Sequence, residues 1–320
     1  MGKKLSWLYS QKREIKMLSD SDLKALMPRR QFLIGIDSDG TVYDSMELKH
    51  KECFCPAFIN NFHLQPVAKY AREVWEFVNL YSRSRGCNRF QALVTALDLL
   101  RERPEVRLAN VEIPALEGVK KWISHAKKLG NPELEQAIQK SNGLEKKDLE
   151  RAYQWSKDVN AAVRSVVRNV APFPFFREAL ARMSEHADIL VLSQTPTETL
   201  VREWKEFGID GYVRFIAGQE MGSKADHLRY GGLGKYSLQC MLMIGDAPGD
   251  LQAAMEVGAL FYPIVPGREI DSWRDFLEEG LDRFLDFRFE GEYQDRLIKE
   301  FHEALPETPP WQTEKVGTCA

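Results

Sequence analysis

Phe-Leu-Ile-Gly-Ile-Asp-Ser-Asp-Gly-Thr-Val-Tyr-Asp-Ser occupies residues 32–45: an apolar run, two aspartates one residue apart, a glycine and a threonine. A short run that is apolar without alternation is the pattern of a strand buried on both faces of a parallel sheet. In such sheets ligands sit beyond the carboxyl ends of the strands, where Asp37, Ser38, Asp39, Gly40 and Thr41 follow Ile36. Four more runs of this kind are predicted as strands, over 189–192, 212–217, 241–244 and 260–265. Helical periodicity lies between them, as in 198–207 and 249–257. The chain is predicted to be an α/β protein with a doubly wound parallel sheet.

The residues after the other strands extend the pattern. Ser193-Gln194-Thr195 follows the second strand, and Gly245-Asp246-Ala247-Pro248-Gly249-Asp250 follows the fourth. Asp37, Asp39, Asp246 and Asp250 would then converge on one edge of the sheet. Carboxylates that close repel one another unless a cation compensates them. Magnesium, a hard ion suited to carboxylate and phosphate oxygens, is the expected cofactor. An EF-hand loop would need glycine at its sixth position and glutamate at its twelfth, where this sequence has Val42 and Leu48. A plain turn, for which Asp and Gly are common residues, accounts for DSDGT but not for a second acidic cluster after another strand.

About 150 residues separate the first two strands, far beyond an ordinary crossover. They read as helices over about 47–61, 67–81, 89–101, 116–128 and 147–170. Pro172 and Pro174 mark the return to the sheet. The expected organisation is an N-terminal extension (1–30), a core domain (31–44 and 175–267), an enlarged all-helical cap domain (45–174), and C-terminal helices with a tail (268–320).

Composition is ordinary for a globular chain of 320 residues, with 44% hydrophobic and 28% charged. A net charge of -3 gives no reason to expect a nucleic-acid partner. The apolar runs are too short to span a bilayer, and the N-terminus lacks the apolar core of a signal peptide, so a cytoplasmic protein is expected. Five cysteines do not suggest a disulfide framework, and Cys53 and Cys55, two apart on a helix, diverge too much for a metal pair. MGKKLS at the N-terminus matches the loose N-myristoylation pattern.

As a set, these motifs resemble those of the haloacid-dehalogenase-like superfamily. FLIGIDSDGTVYDS resembles its first motif, Ser193 after ILVL its second, Lys224 in GSKADHL its third, and MIGDAPGD its fourth. The helical insertion after the first motif is similar to the cap of the phosphoglycolate phosphatase and β-phosphoglucomutase branch. The resemblance implies that Asp37 attacks phosphorus to give an aspartyl phosphate, and that Asp39 serves as general acid and then base. It implies that Asp37, the Asp39 carbonyl and Asp246 hold magnesium with Asp250 in support, and that Lys224 pairs with Asp37 and the phosphate. Ser193, Gln194 and Thr41 would hold phosphoryl oxygens. Asp39 argues against a true dehalogenase or a phosphonate hydrolase, whose relatives typically lack it. The third motif departs from the usual K-P-x-P setting, and Lys235 is a rival for its lysine.

Selection of substrate is expected from the cap. Arg83, Arg85 and Arg89 surround Gly86, and arginine forks suit anions, although a solvated basic loop would look the same. Lys49 and His50 lie on the first cap helix, near where relatives carry substrate-facing side chains, whereas Trp75, Phe77, Tyr81 and Trp122 read as core. The expected activity is a magnesium-dependent phosphomonoesterase acting on a small anionic phosphate ester. A phosphomutase using the same aspartates is the alternative, and a non-catalytic scaffold a more distant one.

Overall fold

The protein is described by a computed structural model covering residues 19–313; the MGKKLS pattern lies outside the described residues. Five strands form one sheet: β1 (Phe32–Ile36), β2 (Ala187–Leu192), β3 (Phe215–Ala217), β4 (Met241–Gly245) and β5 (Leu260–Pro263). Their order is β3-β2-β1-β4-β5. All pairings are parallel, with Ile34 level with Ile189 of β2 on one side and Leu242 of β4 on the other. The chain builds outward from β1 through β2 to β3, then crosses back to β4 and β5. The direction of winding therefore reverses between β1 and β4, which opens a crevice at their carboxyl ends.

Because side chains alternate along a strand, the continuous apolar runs feed two cores. Phe32, Ile34 and Ile36 join Ile189, Val191 and Ile244 on one face, packed by Phe176, Trp204, Trp273 and Phe284 from the covering helices. Leu33 joins Leu190, Leu192, Met241 and Met243 on the other, under Leu228, Leu251, Ala254 and Phe301. This is the doubly wound α/β arrangement. Two of the packing tryptophans also fix the loop after β1. The Trp204 indole donates to Ser38 Oγ (3.2 Å) and the Trp273 indole to the Thr41 carbonyl (2.8 Å). Both rings are fully buried, so truncating either to alanine costs about 3–5 kcal/mol and frees the loop as well.

The interval between β1 and β2 is helical and encloses a core of its own, centred on Phe58, Trp75, Phe90, Leu97, Leu149 and Trp155. Its helices run over Arg89–Glu102, Ala68–Asn79, Glu117–His125 and Gly143–Val166. A further helix, Asn131–Lys140, was not expected from periodicity; it buries Leu134 alone, so its apolar face is faint in the sequence. The first helical run is continuous from Ser45 to Asn61 but passes through a π-helical stretch, Lys49–Phe54. Such stretches re-aim side chains and recur at functional sites. β3 starts three residues later than expected, because Asp210–Tyr212 forms a 3₁₀ turn and Tyr212 is exposed.

After β5, a helical run spans Glu269–Asp275, Phe276–Gly280 and Leu281–Leu285, followed by Glu292–Ala304 and Pro310–Thr313. The chain then returns to the helical insertion. The Leu305 carbonyl accepts from Arg83 (3.0 Å), and the Trp311 ring meets Phe77 edge-on (5.5 Å) beneath the Arg103 guanidinium (4.5 Å). No helix among the described residues is long and apolar enough to cross a membrane.

Candidate active site

Asp37 is the first residue beyond β1, and its N–H donates to the Ile244 carbonyl of β4 (3.0 Å), which pins it at the crevice. Its Oδ2 pairs with Lys224 Nζ at 2.8 Å, while its Oδ1 is buried without any hydrogen-bond partner. Lys224 opens the helix Lys224–Gly231, whose start is fixed by a reciprocal cap between Ser223 and Asp226. The same ammonium reaches Asp250 Oδ1. Lys235 instead donates to the carbonyls of Leu23 and Tyr230, away from the aspartates.

Asp246 follows β4 and is 1% exposed. Thr41 Oγ1 donates to its Oδ1 (2.6 Å), and the Arg85 Nε and Nη2 grip its Oδ2 at 2.8 and 2.7 Å. Arg85 is itself 3% exposed and spends Nη1 on the Leu80 carbonyl (3.0 Å). The geometry thus places this insertion arginine on an aspartate of the core. The turn allows this only with glycine at position 40. Its φ is +77°, and a Cβ there would lie 2.4 Å from Asp246 Oδ2 and 2.7 Å from Arg85 Nη2. Asp250 is held by the Ala247 N–H (3.0 Å) at the first turn of the helix Pro248–Val257.

Carboxylate oxygens of Asp37, Asp246 and Asp250 lie within 4.8 Å of one another, all buried. Three carboxylates face two cations, Lys224 and Arg85, so one negative charge is uncompensated. Burial accordingly raises the pKa of Asp37 against the pull of Lys224, with Asp250 and Asp246 adding to the rise. Burial raises Asp250 in the same way. Burial alone would lower Lys224, but Asp250 and Asp37 overcome it and hold the ammonium protonated. An all-oxygen donor set, an excess of negative charge and an orphaned Asp37 oxygen together fit a hard divalent cation.

Asp39 faces the other way. Lys49 Nζ (2.5 Å), Ser45 Oγ and Thr195 Oγ1 (2.8 Å) all bond its carboxylate. Burial would raise its pKa, but the Lys49 charge and these bonds prevail and hold it at about 2. Ser193 follows β2 with its N–H on the Ala217 carbonyl (3.0 Å), and its Oγ accepts from Thr195 N–H (3.2 Å). Gln194 is exposed and donates to the Gly222 carbonyl (3.1 Å). Lys49 as the partner of Asp39 and Thr195 as its hydroxyl donor were not assigned from sequence, since one contact crosses a loop and the other joins residues 156 positions apart.

Asp37, Asp39, Ser193, Gln194, Lys224 and Asp246 line one cleft of about 2260 Å³ between the sheet edge and the helical insertion. His50 lines it too, stacked on Phe54 (4.7 Å); burial first, then Arg85 and Lys49, lower its pKa to about 3, so it is neutral. Trp75, Phe77 and Trp122 are buried in the insertion's core. Cys53 and Cys55 are buried free thiols.

No protein-family model matches the chain, and no curated protein is significantly similar to it. Solved structures similar to it include hydrolases of the haloacid-dehalogenase type. A predicted phosphoglycolate phosphatase from Haemophilus somnus is 16% identical, over 78% of this chain and 99% of its own, with a TM-score of 0.44. A haloacid dehalogenase-like family hydrolase from Xanthomonas campestris is 11% identical, over 83% and 98%, with a TM-score of 0.44. The HAD-hydrolase YfnB from Bacillus subtilis, bound to magnesium, is 10% identical over 73% and 86%, with a TM-score of 0.36.

Proposed function

We propose that the chain is a magnesium-dependent phosphomonoesterase of the haloacid-dehalogenase type, which passes the phosphoryl group through Asp37. The observation that carries this reading is Asp37 itself. One oxygen is fixed by Lys224 and the other is buried and unpartnered, and the carboxylate as a whole groups with those of Asp246 and Asp250 at the switch point of the sheet. Asp37, Asp246 and the Asp39 carbonyl would hold magnesium, with Asp250 in support. Bound there, the ion supplies positive charge to the phosphoryl oxygens.

In the first step an Asp37 oxygen attacks phosphorus and the ester P–O bond breaks, while Asp39 gives its proton to the departing oxygen. In the second, Asp39 takes a proton from water as that water attacks the aspartyl phosphate, which frees inorganic phosphate and restores Asp37. Lys49, Ser45 and Thr195 keep Asp39 ionised, which suits the second step. A dianionic phosphate arriving beside it raises its proton affinity and prepares the first. Lys224 offsets charge on Asp37 and the phosphate, Ser193 and Gln194 hold phosphoryl oxygens, and Thr41, whose hydroxyl is given to Asp246, orients that carboxylate instead. Arg85 acts as counter-cation to Asp246. With Arg85 withdrawn, the three carboxylates and Lys224 carry a net charge that one divalent ion balances.

The breadth of the cleft supports hydrolysis over mutase chemistry, since a mutase must exclude water from its phosphoenzyme. Buried free thiols suit a reducing compartment, and the reading includes a cytoplasmic location. The test is release of inorganic phosphate from phosphate monoesters with magnesium present. Asp37→Asn should abolish it while preserving the fold, and turnover of that variant within about tenfold of wild type would defeat the covalent mechanism.

A further inference from the structure

Arg89 is a cation that the helical insertion leaves without a counter-anion. It lines the cleft, yet among the described residues no carboxylate comes within ion-pair distance of it. Its Nη1 donates to two neutral groups, Ser156 Oγ (3.1 Å) and Asn160 Oδ1 (2.7 Å), and Ser156 is oriented in turn by Asn131 (2.7 Å). The guanidinium stands over the Phe54 ring at 5.1 Å. Burial alone, with no nearby acid opposing it, lowers its proton affinity to about 10. Nε and Nη2, the edge that grips a carboxylate or phosphate with two parallel bonds, find no protein acceptor among the described residues, and neither is sealed from the cleft. Arg83 and Arg85, by contrast, are occupied by the Leu305 carbonyl and Asp246. A rigid, partly desolvated guanidinium with its bidentate edge unused is built to receive an anion from outside.

One helical run measures the distance from the aspartates. Ser45 and Lys49 touch Asp39, and Phe54, five residues beyond Lys49, lies beneath Arg89, with His50 stacked between. Five residues of an α-helix advance about 7.5 Å along the axis, and the π-helical stretch Lys49–Phe54 advances less than that. We propose that Arg89 anchors a second anionic group, carboxylate or phosphate, on a phosphate monoester, at the end away from the ester oxygen. This rests on the phosphatase reading above and adds the substrate class to it.

The experiment compares 6-phosphonooxyhexanoate, the long acid, with its neutral counterpart 6-hydroxyhexyl phosphate. For the wild type, kcat/KM for the long acid should exceed that for the alcohol roughly tenfold to hundredfold, mainly through KM. In Arg89→Met the ratio of long acid to alcohol should fall to about one, and in Arg89→Lys it should be intermediate. The ratio, unlike absolute activity, does not move if the substitution merely loosens the fold, and the lysine variant decides the matter should the methionine one fail to fold. A wild-type ratio near one, or a ratio unchanged by both substitutions, overturns the proposal. Absence of phosphate release from every ester overturns the phosphatase reading instead. The Arg89 site is then decided by whether hexane-1,6-diol bisphosphate raises the Tm of the wild type but not of the variants.

Discussion

Arg85→Met tests how the helical insertion and the acidic cluster share charge. Methionine keeps most of the aliphatic stem and its packing but removes the guanidinium that makes two bonds to Asp246 and one to the Leu80 carbonyl. Both charged partners are almost wholly buried, so loss of one leaves the other exposed to the full desolvation penalty, about 3–5 kcal/mol. At about 2 °C per kcal/mol for a chain of this size, the Tm in chelator should fall by about 6–10 °C. Magnesium should behave in the opposite sense. In the wild type the ion must displace or share a charge-assisted contact worth about 1.5–3 kcal/mol, so the variant should bind magnesium roughly ten- to hundredfold more tightly. Saturating magnesium should recover most of the lost Tm. Isothermal titration and thermal melting, each with and without the ion, read these effects. The reasoning is refuted if magnesium binds the variant no more tightly than the wild type, or if the Tm deficit is the same in magnesium as in chelator.

Other perturbations follow from the same charges. Asp37→Asn should melt at a higher temperature than wild type in chelator at pH 8. The raised pKa of Asp37 means its ionised form destabilises the fold above that pKa, and the advantage should vanish as pH falls below the unfolded value near 3.8. Asp39→Asn, with p-nitrophenyl phosphate, should show a burst of nitrophenol close to one per active site and then a slow steady state; a linear time course with no burst contradicts the base assignment. Burial, then the charge of Asp39, raises Glu203 to about 7, so its cost is fully present above pH 7 and absent below about 4.5. Glu203→Gln should therefore gain about 1–2 kcal/mol at pH 8, discounted for a side chain 18% exposed, and nothing at pH 4.5, read as denaturant midpoints.

Much of this was legible in the sequence because parallel strands buried on both faces are written as continuous apolar runs. β1 and β4 were bounded to within a residue, and the acidic residues beyond them read directly as sheet-edge groups. Asp37, Asp246, Asp250 and Lys224 meet because strand order brings β1 beside β4, and that order carries no local signal. The partnerships across the cleft were illegible for a related reason. Arg85 and Asp246 are 161 residues apart, and nothing in an arginine-rich turn says which arginine will find a carboxylate and which, like Arg89, will find none. Lys49 reaches back to Asp39 from the end of the short helical turn Ser45–Leu48, a contact ten residues apart across a loop that no helical spacing announces. The helix Asn131–Lys140 was missed because it is mostly solvated.

The central claim, a phosphoryl group carried on Asp37, is tested most directly by trapping it. The protein is mixed with magnesium and a radiolabelled phosphate monoester, quenched in acid within milliseconds, digested and mapped by mass. The account predicts acid-stable label on the peptide containing residues 32–45, at Asp37, increased in Asp39→Asn and absent from Asp37→Asn. Phosphate release without label on Asp37 in either the wild type or Asp39→Asn, or label on another residue, would contradict it.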